Sequence, residues 1–282
     1  MTTESQDVKS ADPAPRHAGT RVRYTLKARM LTVLRTQRLT PSMLRVVFTG
    51  TDMDGFESRG ADDHVKLLFP VDGQDIPLLP TFTPNGPVFA EGAVRPEVRD
   101  YTPRAYDPES GELTIDFALH EAGPATQWAM HAVPGQRIGM AGPKGSMLPA
   151  DDFDWYLMIG DETALPAIAR RLEALPSGIP ALVFVEVAGP ADELPLPSRA
   201  NLTLRWIYRG TAAAGEGQDL EAAVAACALP TGEGYAWVAC EGTVAKRLRR
   251  ILVEQHGHPA VWLKASGYWK RGAQGEHETI SS

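Results

Sequence analysis

A chain of 282 residues fits two compact domains at about 150 residues each. Its composition, 43% hydrophobic and 22% charged, is that of an ordinary globular protein with enough apolar residues for real cores. A net charge of −7 and a pI near 5.5 argue against nucleic acid or an anionic membrane as the main partner, because both demand a surplus of Lys and Arg.

The two cysteines, Cys227 and Cys240, are too few for a disulfide framework, an iron–sulfur cluster or a Cys-rich zinc site. No protein-bound metal is expected, and a reducing compartment is the natural inference. The polar Met1–Gly19 stretch lacks the apolar core of a signal peptide, and no apolar run approaches the roughly 20 residues that span a bilayer. A soluble, cytoplasmic monomer is the expectation.

Residues 1–20 mix Ser, Asp, Pro, Ala and Gly without periodicity and read as a disordered tail. From Arg21 to Met147 the signals are short strands: Val22–Leu34, Met43–Thr49, His64–Phe69 and Glu112–His120. In the last of these Leu113, Ile115, Phe117 and Leu119 alternate with polar or small residues, the pattern of a strand with one buried face. Such strands over residues 21–150 predict an antiparallel β-barrel, interrupted by a helix at Pro124–His131. Beyond residue 151 strands alternate with helices. Strands are expected at Tyr156–Ile159, Ala181–Val187, Leu202–Ile207, Tyr235–Cys240 and Ala260–Leu263, and helices at Thr163–Leu175, Leu220–Ala226 and Thr243–Gln255. That alternation predicts an α/β domain with a parallel sheet over residues 151–282, hinged at 149–153. Ligands of such sheets bind at the carboxyl ends of the strands, so a barrel packed over that edge makes a cleft for two ligands.

Three segments carry candidate chemistry. In Arg99-Asp100-Tyr101-Thr102, an Arg fork suits phosphate, Tyr offers a flat partner for a ring system and Thr offers a hydroxyl; an ordinary surface strand fits equally. At His120-Glu121-Ala122-Gly123-Pro124-Ala125-Thr126 a strand turns into a helix, which is either an anion site or a plain turn with Trp128 in the core. Gly160-Asp161-Glu162-Thr163 forms the first strand–turn–helix of the second domain and matches neither G-x-G-x-x-G nor G-x-x-x-x-G-K-[ST]. Asp161 and Glu162 would repel a pyrophosphate, so they face a ribose or hydroxyl, or Asp161 or Thr163 caps the helix.

Arg99-Asp-Tyr-Thr with the later Gly123-Pro124-Ala125-Thr126 resembles the ferredoxin-reductase superfamily of flavoproteins. Adding Asp116-Phe117, His120, Gly160-Asp161-Glu162-Thr163-Ala164-Leu165-Pro166 and Gly267-Tyr268-Trp269-Lys270-Arg271-Gly272 narrows the likeness to the siderophore-interacting protein family, which includes bacterial ferric-siderophore reductases. The resemblance runs from Val22 to Gly272 in order. It implies an FAD-binding barrel and a second domain receiving NADH or NADPH. Arg99 would contact the FAD pyrophosphate, Tyr101 would pack on the isoalloxazine, and Thr102 would hydrogen-bond near N5. Asp116, Phe117, Ala118 and His120 would line the adenosine or ribityl side, while Gly123, Ala125 and Thr126 would close on the phosphates. Gly160, Asp161, Glu162 and Thr163 would face the nicotinamide, together with the turn Cys240-Glu241-Gly242, whose Cys240 and Glu241 join Thr102 as candidate catalytic residues. Cys240 equally suits a small buried residue ending a strand.

This implies hydride transfer to FAD and single-electron transfer to chelated Fe(III), with Fe(II) held weakly by hard oxygen ligands and released. Ferric siderophores are often anionic, so a cationic pocket is required; Lys264, Lys270 and Arg271 are the candidates for substrate binding, whereas Lys246–Arg250 reads as the solvated face of a helix. Glu186 is placed for an NAD ribose and Arg209 for a 2′-phosphate, with a slight lean to NADH. The alternatives are a flavoprotein reductase exchanging electrons with a ferredoxin and a non-enzymatic siderophore-binding protein.

Overall fold

The computed structural model describes residues 16–71, 73–119, 123–272 and 278–280. The first part of the chain supplies β1 (Thr20–Arg23), β2 (Ala28–Thr40), β3 (Met43–Thr49), β4 (Val65–Phe69), β5 (Thr81–Thr83), β6 (Gly86–Val88), β7 (Glu97–Tyr101), β8 (Pro103–Asp107), β9 (Glu112–Ala118), α1 (Pro124–Met130), β10 (Arg137–Ala141) and β11 (Gly145–Leu148). Seven of these strands form one antiparallel sheet in the order β7-β4-β10-β2-β3-β9-β8. Its two edge strands, β7 and β8, are separated in sequence by Thr102 alone. A trans residue advances the chain by at most about 3.6 Å, so the sheet must curl until its edges meet at Thr102. The expected barrel takes the form of a curled antiparallel sheet, a half-barrel whose edge strands β7 and β8 do not pair, and Thr102 sits on its seam.

One strand expected from the sequence is divided here. Val22–Leu34 is broken into β1, which pairs with β11, and β2. In β9 the odd residues Leu113, Ile115 and Phe117 fill the barrel core as the alternation requires. Asp116 and Ala118 are buried too, against the cleft described below. Trp128 of α1 packs among Phe48, Phe69 and Phe117, with ring centroids 6.2, 5.5 and 6.1 Å away. This plug holds the first turn of α1 at the barrel rim.

The remainder forms β12 (Trp155–Asp161), α2 (Leu165–Ala174), β13 (Pro180–Val187), β14 (Asn201–Tyr208), α3 (Gln218–Ala225), β15 (Gly234–Glu241), α4 (Gly242–Arg250), β16 (Leu263–Trp269) and β17 (Glu278–Thr279). The sheet order is β14-β13-β12-β15-β16-β17, parallel except for β17. Strand order reverses between β12 and β15, which opens a crevice beyond their carboxyl ends. One apolar layer lies on each face of this sheet. The strand expected at Ala260–Leu263 is a correction: Ala260–Trp262 is a single 3₁₀ turn with Val261 87% exposed, and the strand begins at Leu263. The connection between β13 and β14 carries only a short turn, Pro190–Asp192, in place of a helix.

The two parts are bolted together. Arg170 donates to Ser58 Oγ at 3.1 Å and to its carbonyl at 2.6 Å, Arg104 chelates Glu173, and Lys264 pairs with Asp62. At the opposite end of the parallel sheet from the crevice, His17 stacks on Phe153 with centroids 3.8 Å apart and bonds Asp152 (2.7 Å) and Glu233 (3.0 Å). Of the segment read as a tail, residues 1–15 lie outside the described residues, whereas the His17 side chain is only 2% exposed. No helix among the described residues is long and apolar enough to cross a membrane.

Candidate functional site

A cleft of about 840 Å³ runs between the barrel seam and the carboxyl edge of the parallel sheet. The barrel contributes Arg99, Asp100, Tyr101 and Thr102 from the seam, Asp116 and Ala118 from β9, and Gly123, Ala125 and Thr126 from the start of α1. The α/β side contributes Thr163, Arg209, the small residues Gly210 and Ala212–Ala214, and Tyr268, Trp269, Lys270 and Arg271.

Arg99 is held ready by Glu97 at 2.9 Å and by the Val98 carbonyl at 2.8 Å. The Tyr101 ring rests on Phe117, centroids 4.4 Å apart, and burial pushes its phenol well above the ordinary range. Thr102 is 7% exposed and is hydrogen-bonded through its side chain to Tyr268 from the other half of the molecule. Asp116 is gripped by Arg45 across the β3–β9 ladder, at 2.7 and 2.8 Å.

Charge is sorted at the walls. The lining carboxylates Asp62, Asp100 and Asp116 are neutralised by Lys264, Lys66 and Arg45, which stand outside the lining. The lining cations are compensated in the same way, Arg99 by Glu97, Arg209 by Glu162 and Arg271 by Glu216 at 3.7 Å, while Lys270 adds a fourth cation to the wall.

Behind the cleft, Asp161, Glu162, Glu186 and Glu241 cluster at the strand ends, all at most 5% exposed. Burial and the neighbouring Glu162 raise Asp161 to about 6, while burial and Asp161 raise Glu186 to about 7. Arg209 closes a bidentate pair on Glu162, at 2.9 and 2.5 Å.

Several expected site residues fall elsewhere. Phe117 is fully buried in the barrel core, because adjacent residues of a strand face opposite ways and Asp116 and Ala118 take the cleft side. Cys240 is 1% exposed within the apolar layer under α4, and burial pushes its thiol well above the ordinary range. Glu241 caps α4, accepting from Thr243 N at 2.6 Å and Val244 N at 3.0 Å. Gly160 makes room for packing: a Cβ there would lie 2.6 Å from Ala164 Cβ and 2.8 Å from the Ala239 carbonyl. Asp161 caps the turn through Thr163 N at 2.9 Å. Lys264 reaches Asp62 and does not line the cleft. His120 lies outside the described residues. Asp62, His64 and the 210–214 loop also line the cleft without a sequence motif to mark them; for the loop, the run of small residues after a strand is the available signal.

The wall composition suits FAD. Ala118, Gly123 and Ala125 leave volume where larger side chains would fill it, Arg99 and Thr126 offer donors for phosphate, and Tyr101 offers an aromatic surface. A model of the siderophore-interacting FAD-binding domain matches residues 32–147, and one of the siderophore-interacting protein matches 153–272. The NADPH-dependent ferric-chelate reductase of Escherichia coli (strain K12) is 40% identical over 88% of this chain and 95% of its own. The chain belongs to the siderophore-interacting protein family. The ferric vibriobactin reductase of Vibrio cholerae is 32% identical over 88% of this family member and 91% of its own chain. Among solved structures, a siderophore utilization protein from T. fusca superposes with a TM-score of 0.85 at 36% identity, covering 92% of this chain and 98% of that one. A ferredoxin reductase of carbazole 1,9a-dioxygenase, at 16% identity, TM-score 0.59 and coverage of 85% and 69%, shares the fold.

Proposed function

We propose that this siderophore-interacting protein is an FAD-dependent reductase that uses NADPH to reduce ferric-siderophore complexes and release Fe(II). The observation that carries the reading is the single cleft in which the flavin-type residues of the seam meet the cationic–aromatic segment Tyr268–Arg271. Two relatives named as reductases of ferric chelates, aligned over nearly the whole chain, support it.

When bound, FAD supplies the conversion of a two-electron hydride from NADPH into single electrons for ferric iron. Arg99 and Thr126 hold its phosphates, Tyr101 supports the ring system, and Thr102 presents a hydroxyl to the reacting edge. We divide the chain into an FAD barrel at 21–150 and a nucleotide domain at 151–282. The relative named as NADPH-dependent moves the reading from NADH to NADPH: Glu186, 4% exposed, does not line the cleft, and Arg209 lines it but would have to turn from Glu162 to meet a 2′-phosphate. Lys270 and Arg271 attract an anionic chelate, whose iron is substrate. One chain supplies both walls, so the reaction needs no second copy, and the reading places it in the cytoplasm. Equilibrium dialysis of the protein against FAD tests the foundation: one FAD per chain is expected, and no uptake at excess FAD overturns the assignment.

A further inference from the structure

Regular strands send consecutive residues to opposite faces. Tyr268 and Trp269 nevertheless both line the cleft. The ladder between β15 and β16 explains this: Cys240 pairs with Gly267 and Glu241 with Trp269, so Tyr268 is an extra residue without a ladder position. It is a β-bulge, a device that re-aims a side chain. Here the bulge sends Tyr268 across the domain boundary to the Thr102 side chain on the barrel seam. Trp237 supports the phenol ring edge-on, with centroids 6.1 Å apart.

Resting on the FAD reading above, we propose that Tyr268 is a positioning residue: it orients the Thr102 hydroxyl toward the reacting edge of the flavin. A hydroxyl has one proton to donate and two lone pairs. With the phenol donating to Thr102 Oγ1, the Thr102 proton is left for an acceptor in the cleft; with the phenol accepting, Thr102 Oγ1 is left to accept from an N–H. The pair thus serves a ring nitrogen in either redox state by rotating two O–H bonds, with no movement of heavy atoms. Burial keeps the phenol protonated, its pKa well above the ordinary value. Because the contact spans the two domains, it forms only when they sit as they do here.

The test uses the FAD-loaded protein and the variants Tyr268→Phe, Thr102→Val, Thr102→Ser and the double variant Tyr268→Phe/Thr102→Val. Readouts are FAD affinity, flavin midpoint potential and the anaerobic rate of flavin reduction by NADPH. Tyr268→Phe is expected to keep its FAD affinity and, because the pair serves both redox states, its midpoint potential, while slowing reduction about fivefold, the worth of one hydrogen bond. In the Thr102→Val background, Tyr268→Phe should change neither rate nor potential further, and Thr102→Ser should match wild type. Additive losses in the double variant, or a shifted potential in Tyr268→Phe, overturn the positioning role. Failure of the wild-type protein to take up FAD overturns the functional reading on which it rests, and is seen before any variant is made.

Discussion

The indole N–H of Trp269 donates a 2.8 Å hydrogen bond to the carboxylate of Asp161, 108 residues away. This contact ties the end of β16 to the turn after β12 and fixes the wall where the two halves of the cleft meet. It also brings a donor to a buried carboxyl that is costly to ionise.

Asp161, raised to about 6, and Glu186, raised to about 7, both hold protons more tightly in the folded chain than unfolded. Between about pH 4 and 7 the native state therefore binds more protons than the unfolded state, and stability falls as pH rises. Thermal melts should show Tm declining between about pH 5 and 7.5 as these groups ionise. Asp161→Asn cannot ionise, and its amide offers one acceptor oxygen for the two sets of donors, Thr163 and Trp269, so its Tm should be lower throughout while its pH profile is flatter; a slope equal to wild type would contradict the assignment.

His17 behaves in the same direction for a different reason. Burial opposes its charge, but hydrogen bonds to Asp152 and Glu233 outweigh that and raise its pKa. Its stabilisation is complete below the unfolded value of about 6.5 and disappears as pH rises through the folded value. His17→Phe keeps a ring on Phe153 but not the ion pairs. It should lower Tm at pH 6 more than at pH 9, and equal losses at both would show that stacking alone anchors the segment.

Arg99→Ala should weaken FAD binding about tenfold to hundredfold, the range for a charge-assisted hydrogen bond, measured by flavin fluorescence on titration. Gly160→Ala should instead destabilise the fold by about 1–3 kcal/mol through the clash with Ala164 and leave FAD affinity intact. The pair separates a binding residue from a packing one.

Lys270→Ala and Arg271→Ala should weaken anionic ferric chelates about twofold to fivefold and spare neutral ones, with the effect shrinking at high salt. Lys264→Ala should also weaken anionic chelates, by leaving Asp62 uncompensated on the cleft wall. Asp62→Asn/Lys264→Ala should then recover affinity; no recovery would mean that Lys264 acts by another route.

Much of this architecture is written in local pattern. Alternation in β9, the apolar runs of β12, β13 and β15 and the Gly-Pro start of α1 all place elements correctly, and Arg99, Tyr101, Thr102, Gly123, Ala125 and Thr126 do line one cleft. What local pattern does not carry is which neighbour a side chain meets. Asp116 and Phe117 are adjacent in sequence, yet the barrel wall separates them. Val261 is apolar and exposed, so Ala260–Leu263 resembles a strand that the chain does not form. Glu241 and Gly160 have the residue types of a nucleotide site but are engaged in capping and packing, and the bulge at Tyr268 exists only in the register between two strands.

Anaerobic stopped-flow mixing of the FAD-loaded protein with NADPH, followed by a ferric siderophore and a ferrous-specific dye, bears most directly on the central claim. Rapid bleaching of the flavin band is expected, with its return on adding the chelate and dye-bound Fe(II) approaching two per flavin reduced. Bleaching without return, or Fe(II) appearing equally fast when FAD is omitted, would contradict it.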